Sequence, residues 1–368
     1  MILTKCAACA APLAHTAPRC VRCKVRYCDA TCQHDHWRRG HKQMCKKIHR
    51  GGNAEQYHAD KKYKEAVAVA VEACADDTKG QTCYICTQAL HWKTKEGLVR
   101  MCACRGTSGF AHVSCLAEQA KILVAEAEEN NWDFQPTFSR YKRWYTCRLC
   151  EQHYREDVRH ALGWACWKTY LSRPETDWPR TGAMTQLGLG LNSADKVNDA
   201  LMIFRAQSAI LERLDDTGNL LVCKDNLALC YSRLHLEEKA LPIRKENYAN
   251  YLAVRGQRDS TTLLAAHNLA CSLRGTGRFD ECLSFLREIL PIAKSCLGAD
   301  HALYLNFIGS LGTCVLEYNA VSRDDLSEAV AKLEDGHRRS RRVLGPQHPG
   351  TLSLEHKLAE ARWKLRTH

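Results

Sequence analysis

Sixteen cysteine and histidine side chains fall into two runs whose spacing suits metal ions. The first run reads Cys6-x2-Cys9, Cys20-x2-Cys23, Cys28-x3-Cys32 and His41-x3-Cys45. The second reads Cys83-x2-Cys86, Cys102-x-Cys104, His112-x2-Cys115 and Cys147-x2-Cys150. Two thiolates two residues apart can bind one Zn2+ from a tight turn. A spacing of three puts Cys28 with Cys32, and His41 with Cys45, one turn apart on a helix face. Eight ligands make two tetrahedral sites, so the chain is expected to hold four Zn2+. Every shell is filled by protein groups, which makes the ions structural. His34 and His36 are rival donors, but neither has a cysteine partner at helical spacing.

The elements that position these groups are short. A peptide of about 45 residues has too small an apolar core to fold alone, so the metal supplies the missing stability. The 22 cysteines of this 368-residue chain also admit a disulfide scaffold, which belongs in an oxidising compartment. No apolar leader precedes Cys6, and no apolar run approaches the length of a membrane span. The expectation is a soluble protein of the cytoplasm or nucleus, with metal favoured over disulfide and no membrane partner. The best apolar stretch, Ala161 to Leu171, carries Lys168 and reads as a buried helix. The net charge of +12 is uneven: residues 1–50 hold 11 Lys/Arg against only Asp29 and Asp35. Such a face can attract nucleic acid or acidic peptides, or can simply keep a small finger soluble. Base-stacking aromatics are sparse beyond Tyr27 and Trp37, so nucleic acid ranks last as a partner.

The stretch RCVRCKVRYCDATCQHDHWRRGHKQMCK, Arg19 to Lys46, resembles the MYND finger almost throughout. The resemblance implies interleaved pairing, with Cys6, Cys9, Cys28 and Cys32 on one ion and Cys20, Cys23, His41 and Cys45 on the other. Gly40 reads as a one-residue insertion between Trp37 and His41. MYND fingers bind short, often proline-containing peptides, and the resemblance puts the contact at Gln33 and Trp37, with Gln33 on the surface. No SET-type cofactor loop or Asn-His pair accompanies the finger, which excludes a lysine methyltransferase.

The order of the second run, four Cys, one His, three Cys, is shared by PHD and RING-CH fingers. Cys102-x-Cys104, with seven residues before His112 and two after it, favours RING-CH. The stretch CACRGTSGFAHVSCL, Cys102 to Leu116, resembles that family closely. The resemblance implies Cys83, Cys86, His112 and Cys115 on one ion and Cys102, Cys104, Cys147 and Cys150 on the other. It further implies docking of a ubiquitin-conjugating enzyme at Ile85, without a nucleophile of the finger's own. Two positions depart from the family: Gln119 stands where a docking tryptophan is expected, and Glu151 where a basic residue often steadies ubiquitin. The Cys115–Cys147 interval is long and contains a helical stretch, AEQAKILVAEAEENN.

Between the fingers, Ala66, Val67, Ala70, Val71 and Cys74 recur at helical spacing and predict a linking helix. Beyond residue 180 the chain repeats. DNLALCYS, HNLACSLR, GSLGTCVL and HKLAEARW align at Leu227, Leu269, Leu311 and Leu358, with periods of 42, 42 and 47, and a fainter copy lies at Gln186-Leu187. Such periods mark helical solenoids. The turns at Leu297–His301 and Leu344–Pro349 resemble those of kinesin-light-chain-type tetratricopeptide repeats, which implies a groove for a partner peptide or helix. The remaining cysteines lack metal spacing and read as packing residues.

No nucleophile elbow, phosphate loop or metalloprotease pair is present, and Arg105–Gly109 reads as a turn between ligands. The fold class is mostly α: two small cross-braced zinc fingers followed by an α-helical tetratricopeptide-like solenoid. The divisions fall at 1–48, 49–80, 81–155 and 156–368. The leading functional expectation is a protein-interaction adaptor with a candidate ubiquitin-ligase module. The rival is a scaffold whose modules only bind proteins.

Overall fold

Every Cys-x2-Cys pair folds into the same turn. The first cysteine's amide donates to the carbonyl five residues on (Cys6 to Ala11, Cys20 to Val25, Cys83 to Gln88, Cys147 to Gln152; 2.7–3.0 Å). The residue after the second cysteine donates back to the first one's carbonyl (Ala10, Lys24, Thr87, Glu151; 2.8–3.1 Å). That residue is left-handed in all four turns, with φ between 56° and 63°, and in none is it glycine. A fifth turn has the same shape without cysteines. The His91 amide donates to the Glu96 carbonyl at 3.0 Å, Lys95 returns to the His91 carbonyl at 2.9 Å, and Lys95 has φ 59°. Here the Thr94 amide and hydroxyl both donate to His91 Nδ1, at 3.1 and 2.9 Å, so hydrogen bonds close the turn where metal would.

The computed structural model describes residues 5–11, 13 and 16–367, in two units, Met1–Cys223 and Lys224–His368. In the first finger α1 spans Ala30–His36 and is capped by the Asp29 carboxylate, which accepts from the Cys32 amide at 2.8 Å. Cys28 therefore lies ahead of the helix, where its spacing had suggested a helical face. Between α1 and α2 (Lys42–Arg50) the segment Trp37–His41 is kinked, with Gly40 non-helical at φ 114°. A glycine stands there because a side chain is strained at that φ.

The linking segment is α3, Ala54–Ala73, which buries Ala59, Ala66, Val67 and Ala70 and packs against α6, Glu156–Tyr170. Lys168, the one charge in that apolar stretch, pairs with Asp60 at 2.8 Å and sits 4.5 Å over the Tyr63 ring. The second finger contributes an antiparallel pair, β1 Val99–Arg100 and β2 Phe110–Ala111, in the register Val99 to Ala111. Its long interval is a helical return: α4, Val113–Glu129, then α5, Phe134–Tyr141. This detour brings Cys147 and Cys150 back beside Cys102 and Cys104. α7 (Trp178–Ser193) packs on α6 and on α8 (Val197–Arg213).

The helices continue as α9 (Thr217–Arg233), which crosses the division between units, and α10 (Glu237–Arg255). The second unit continues with α11 (Ser260–Gly275), α12 (Phe279–Leu297), α13 (Ala302–Glu317), α14 (Arg323–Val343) and α15 (Pro349–Thr367). Leu269, Leu311 and Leu358 fall on α11, α13 and α15, each followed by a small residue. At Gly312 a Cβ would meet Leu333 at 2.8 Å, so the paired helices touch there. The copy in α7 is Leu187-Gly188, one position along from Gln186-Leu187, because it is Gly188 that faces Phe204 in the same manner. Among the described residues no helix is long and apolar enough to cross a membrane.

Candidate metal centres

The interleaved sets of the first finger lie together. Cys6, Cys9, Cys28 and Cys32 hold their sulfurs within 4.8 Å of one another, and so do the donor atoms of Cys20, Cys23, His41 and Cys45. Zn–S bonds of about 2.3 Å give a tetrahedron with edges of about 3.8 Å. The separations are edges of that length: Cys9 to Cys28 3.6 Å, Cys9 to Cys32 3.8 Å and Cys20 to Cys45 3.8 Å. His41 points Nε2 at Cys23 Sγ, 3.3 Å away. The two sites differ in exposure: Cys9 and Cys28 face solvent, whereas all four groups around His41 are buried. His36 is outside both sets. Its Nδ1 meets the Tyr27 hydroxyl at 3.0 Å, and its ring stacks on His41 at 4.6 Å.

The crowded thiols share their protons unequally. Burial pushes Cys23 up to about 12 and the hydrogen bond with Cys9 pushes Cys28 up to about 11, whereas Cys6, against its burial, is brought down to about 6 by backbone hydrogen bonds. A cation must displace those protons to bind, so uptake is coupled to proton release.

In the second finger Cys83, Cys86, His112 and Cys115 form one set and Cys102, Cys104, Cys147 and Cys150 the other. β1 and β2 lead to Cys102–Cys104 at one end of the antiparallel pair and to His112 at the other, and the first turn of α4 carries Cys115. His112 Nε2 lies 3.3 Å from the Ala89 carbonyl and donates to it. Nδ1 is thereby left as the donor atom towards Cys86 (3.3 Å) and Cys115 (3.7 Å). Cys104 and Cys147 lie 3.8 Å apart. Amides support the sulfurs, Ala8 to Cys6 at 3.4 Å and Leu149 to Cys147 at 3.3 Å. The four Cys/His clusters fit four zinc ions.

The other singled-out residues surround these centres. Gln33 is half-buried, not surface-exposed as its binding role had suggested, while Trp37 keeps 42% of its surface. Ile85 lines a groove of about 420 Å3 with Trp92, Ile122 and Leu123. Trp92, at the tip of the metal-free turn, is 69% exposed, and Ile122 is 47% exposed. Sequence reasoning missed both, since a turn without cysteines carries no ligand spacing. Glu96 fixes that turn to α4 by accepting from the Ser114 amide (2.7 Å) and hydroxyl (2.8 Å). Gln119 accepts from the Tyr84 hydroxyl at 3.3 Å. Glu151 pairs at 3.0 Å with Arg143, which also donates to the Cys147 carbonyl at 2.9 Å. In the second unit α11, α13 and α15 line a recess of about 610 Å3 containing His267, Ser310 and Lys357. Burial, then Arg274, lowers the Lys357 pKa.

Comparison with known proteins agrees in parts. The MYND finger model matches residues 6–45, the RING-variant domain model 83–131, and a tetratricopeptide repeat model 262–303. The RING-variant match ends before Cys147 and Cys150. Ubiquitin carboxyl-terminal hydrolase 17 of Arabidopsis thaliana is 46% identical over 54 residues, 14% of this chain and 7% of that protein. Ubiquitin C-terminal hydrolase 15 of Oryza sativa subsp. japonica is 55% identical over 42 residues, 11% of this chain and 4% of that one. The chain thus spans less than a tenth of either relative. Among solved structures, a Podosopora anserina protein described as a kinesin light chain with nearly identical TPR-like repeats aligns at TM-score 0.41 and 16% identity, covering 63% of this chain and 97% of its own. BtubC (BKLC) from P. vanneervenii aligns at 0.38 and 13%, covering 69% and 91%. The chain therefore carries a MYND finger, a RING-variant domain and tetratricopeptide repeats, all within a zinc-binding, protein-interaction architecture.

Proposed function

We propose that this chain is a zinc-dependent adaptor whose second finger, of the RING-CH type, docks a ubiquitin-conjugating enzyme. The first finger holds a proline-containing peptide against Gln33 and Trp37, and the repeats hold a further partner in their groove. The sixteen clustered donors are the zinc ligands, in the working divisions 1–48, 49–80, 81–155 and 156–368, and the protein acts in the cytoplasm or nucleus. The observation that carries the ligase reading is the groove of Ile85, Trp92, Ile122 and Leu123 on a zinc-held frame. Trp92 supplies, from the metal-free turn, the aromatic that Gln119 does not. Exposed aromatic and aliphatic side chains gathered in one groove are what binding hot spots are made of. The finger accelerates transfer by positioning, holding the thioester near a substrate lysine.

Glu151 favours the second reading, a scaffold without transfer, because its carboxylate is committed to Arg143 and offers no positive charge. Autoubiquitination by the zinc-loaded chain, with a panel of conjugating enzymes, separates the two. Chain formation that falls about tenfold or more in Ile85→Ala and in Trp92→Ala, at unchanged zinc content, supports docking in this groove. No chain formation with any enzyme of the panel leaves the scaffold.

A further inference from the structure

We infer that the exposed basic face of α2 continues the peptide site at Gln33 and Trp37, and selects a proline-containing peptide whose flank carries acidic side chains at alternate positions. The inference rests on that reading of the first finger. α2 reads KQMCKKIHR and holds no acidic residue. Its inner face, Cys45 and Ile48, is buried, whereas Lys42, Lys46, Lys47 and Arg50 are exposed. Lys42, Lys46 and Arg50 stand four residues apart, which puts them on one side of the helix. Among the described residues nothing pairs with the side chains of these four cations. The finger's two acids are engaged elsewhere: Asp29 caps α1 and Asp35 pairs with Arg39. Like charges four apart on a helix repel, so the row weakens α2, and an acidic partner relieves that cost.

The spacing of the row identifies its partner. Residues four apart on an α-helix advance about 6 Å, and alternate side chains of an extended chain advance about 6.6 Å. Acidic residues at every second position of an extended peptide therefore meet Lys42, Lys46 and Arg50 in turn, and the long side chains absorb the small mismatch. Trp37 lies in the segment that leads into α2, so anchor and row are consecutive in the chain. Its ring stands edge-on to His41, centroids 6.0 Å apart, and keeps 42% of its surface, so the anchor is built on the zinc frame. A nucleic acid strand would also meet the charges, but the only ring that α2 exposes for a base to stack on is His49. An acidic peptide needs no such platform.

The test is fluorescence anisotropy of labelled peptides with the zinc-loaded full chain at low salt. The neutral probe carries a Pro-Pro-Leu core between serines, and two acidic probes add Glu-Ser-Glu-Ser-Glu before or after the same core. One of the two should bind about tenfold more tightly than the neutral probe, the scale of three exposed charge pairs together, and high salt should abolish that advantage. Lys42→Gln combined with Lys46→Gln should bring the acidic probe down to the neutral probe's affinity at unchanged zinc content. Equal binding of neutral and acidic probes, both weakened by Trp37→Ala, overturns the acidic flank and keeps the Trp37 site. An acidic probe with alanine in place of both prolines that binds as tightly as its parent overturns the continuous site and the proline reading with it. A tract of three consecutive glutamates that binds as tightly as the alternating one overturns the spacing. Tighter binding of an oligouridylate of equal charge overturns the peptide as occupant, and absence of binding by every probe at millimolar concentration overturns both the row and the Trp37 site.

Discussion

His160 shows what burial does to a single ionisable group in this protein. It is 2% exposed on α6, and its Nε2 accepts from the Trp164 indole at 3.2 Å, which requires a neutral imidazole. Burial first, then the charges of Lys196 and Lys62, brings its pKa down from 6.5 to about 4. The unfolded chain takes up that proton near 6.5 and the folded chain only near 4. The residue's contribution to stability is therefore complete above 6.5 and lost as pH falls towards 4. Carbon NMR of the imidazole should find His160 neutral at about pH 5.5; an imidazolium signal there refutes the assignment. The sixteen donors were legible in the sequence because zinc demands both a residue type and a spacing. Trp92 was not, since a turn closed by His91 and Thr94 makes no comparable demand on its residues. Gln33 was placed by resemblance, which does not fix how much of the side chain α1 leaves exposed.

At the scale of elements, Gly40 gives the sharpest expectation. Gly40→Val forces a branched side chain to φ 114° and should destabilise the first finger by about 1–2 kcal/mol, read as earlier zinc release on heating. Deleting Gly40 should be milder, since it removes the non-helical position together with the extra residue between Trp37 and His41. The reverse order of severity would show that the turn itself holds His41. The inserted residue could be read from spacing; the left-handed turn that absorbs it is decided by backbone sterics. Cys28 illustrates the limit: i and i+4 fits a helix, yet Asp29 is a strong cap and starts the helix after it. In the repeats, the turns at Gly298 and Gly345 were legible from Leu-Gly and His. Their counterpart at Gly256, φ 78°, escaped because Asp259 takes the capping place of histidine.

At the scale of the molecule, metal and apolar packing divide the work. All sixteen clustered donors lie in Met1–Cys223, while Lys224–His368 rests on a core built from residues such as Leu286, Ile289, Phe307, Ile308 and Leu333. Elemental analysis should give four zinc per chain; a value near two would mean that one finger holds no metal. After exhaustive chelation, limited proteolysis should degrade the fingers and spare a fragment within 224–368. Uniform digestion of the whole chain would mean that the second unit depends on zinc. The unequal exposure of the first finger's two sites bears on rates as well as on geometry. Solvent reaches Cys9 and Cys28 without any opening of the chain, but reaches the His41 site only through one. Exposure should therefore set two clocks, with a chelator drawing zinc from the Cys9–Cys28 site before the His41 site; zinc release in a single phase would show that both sites open together.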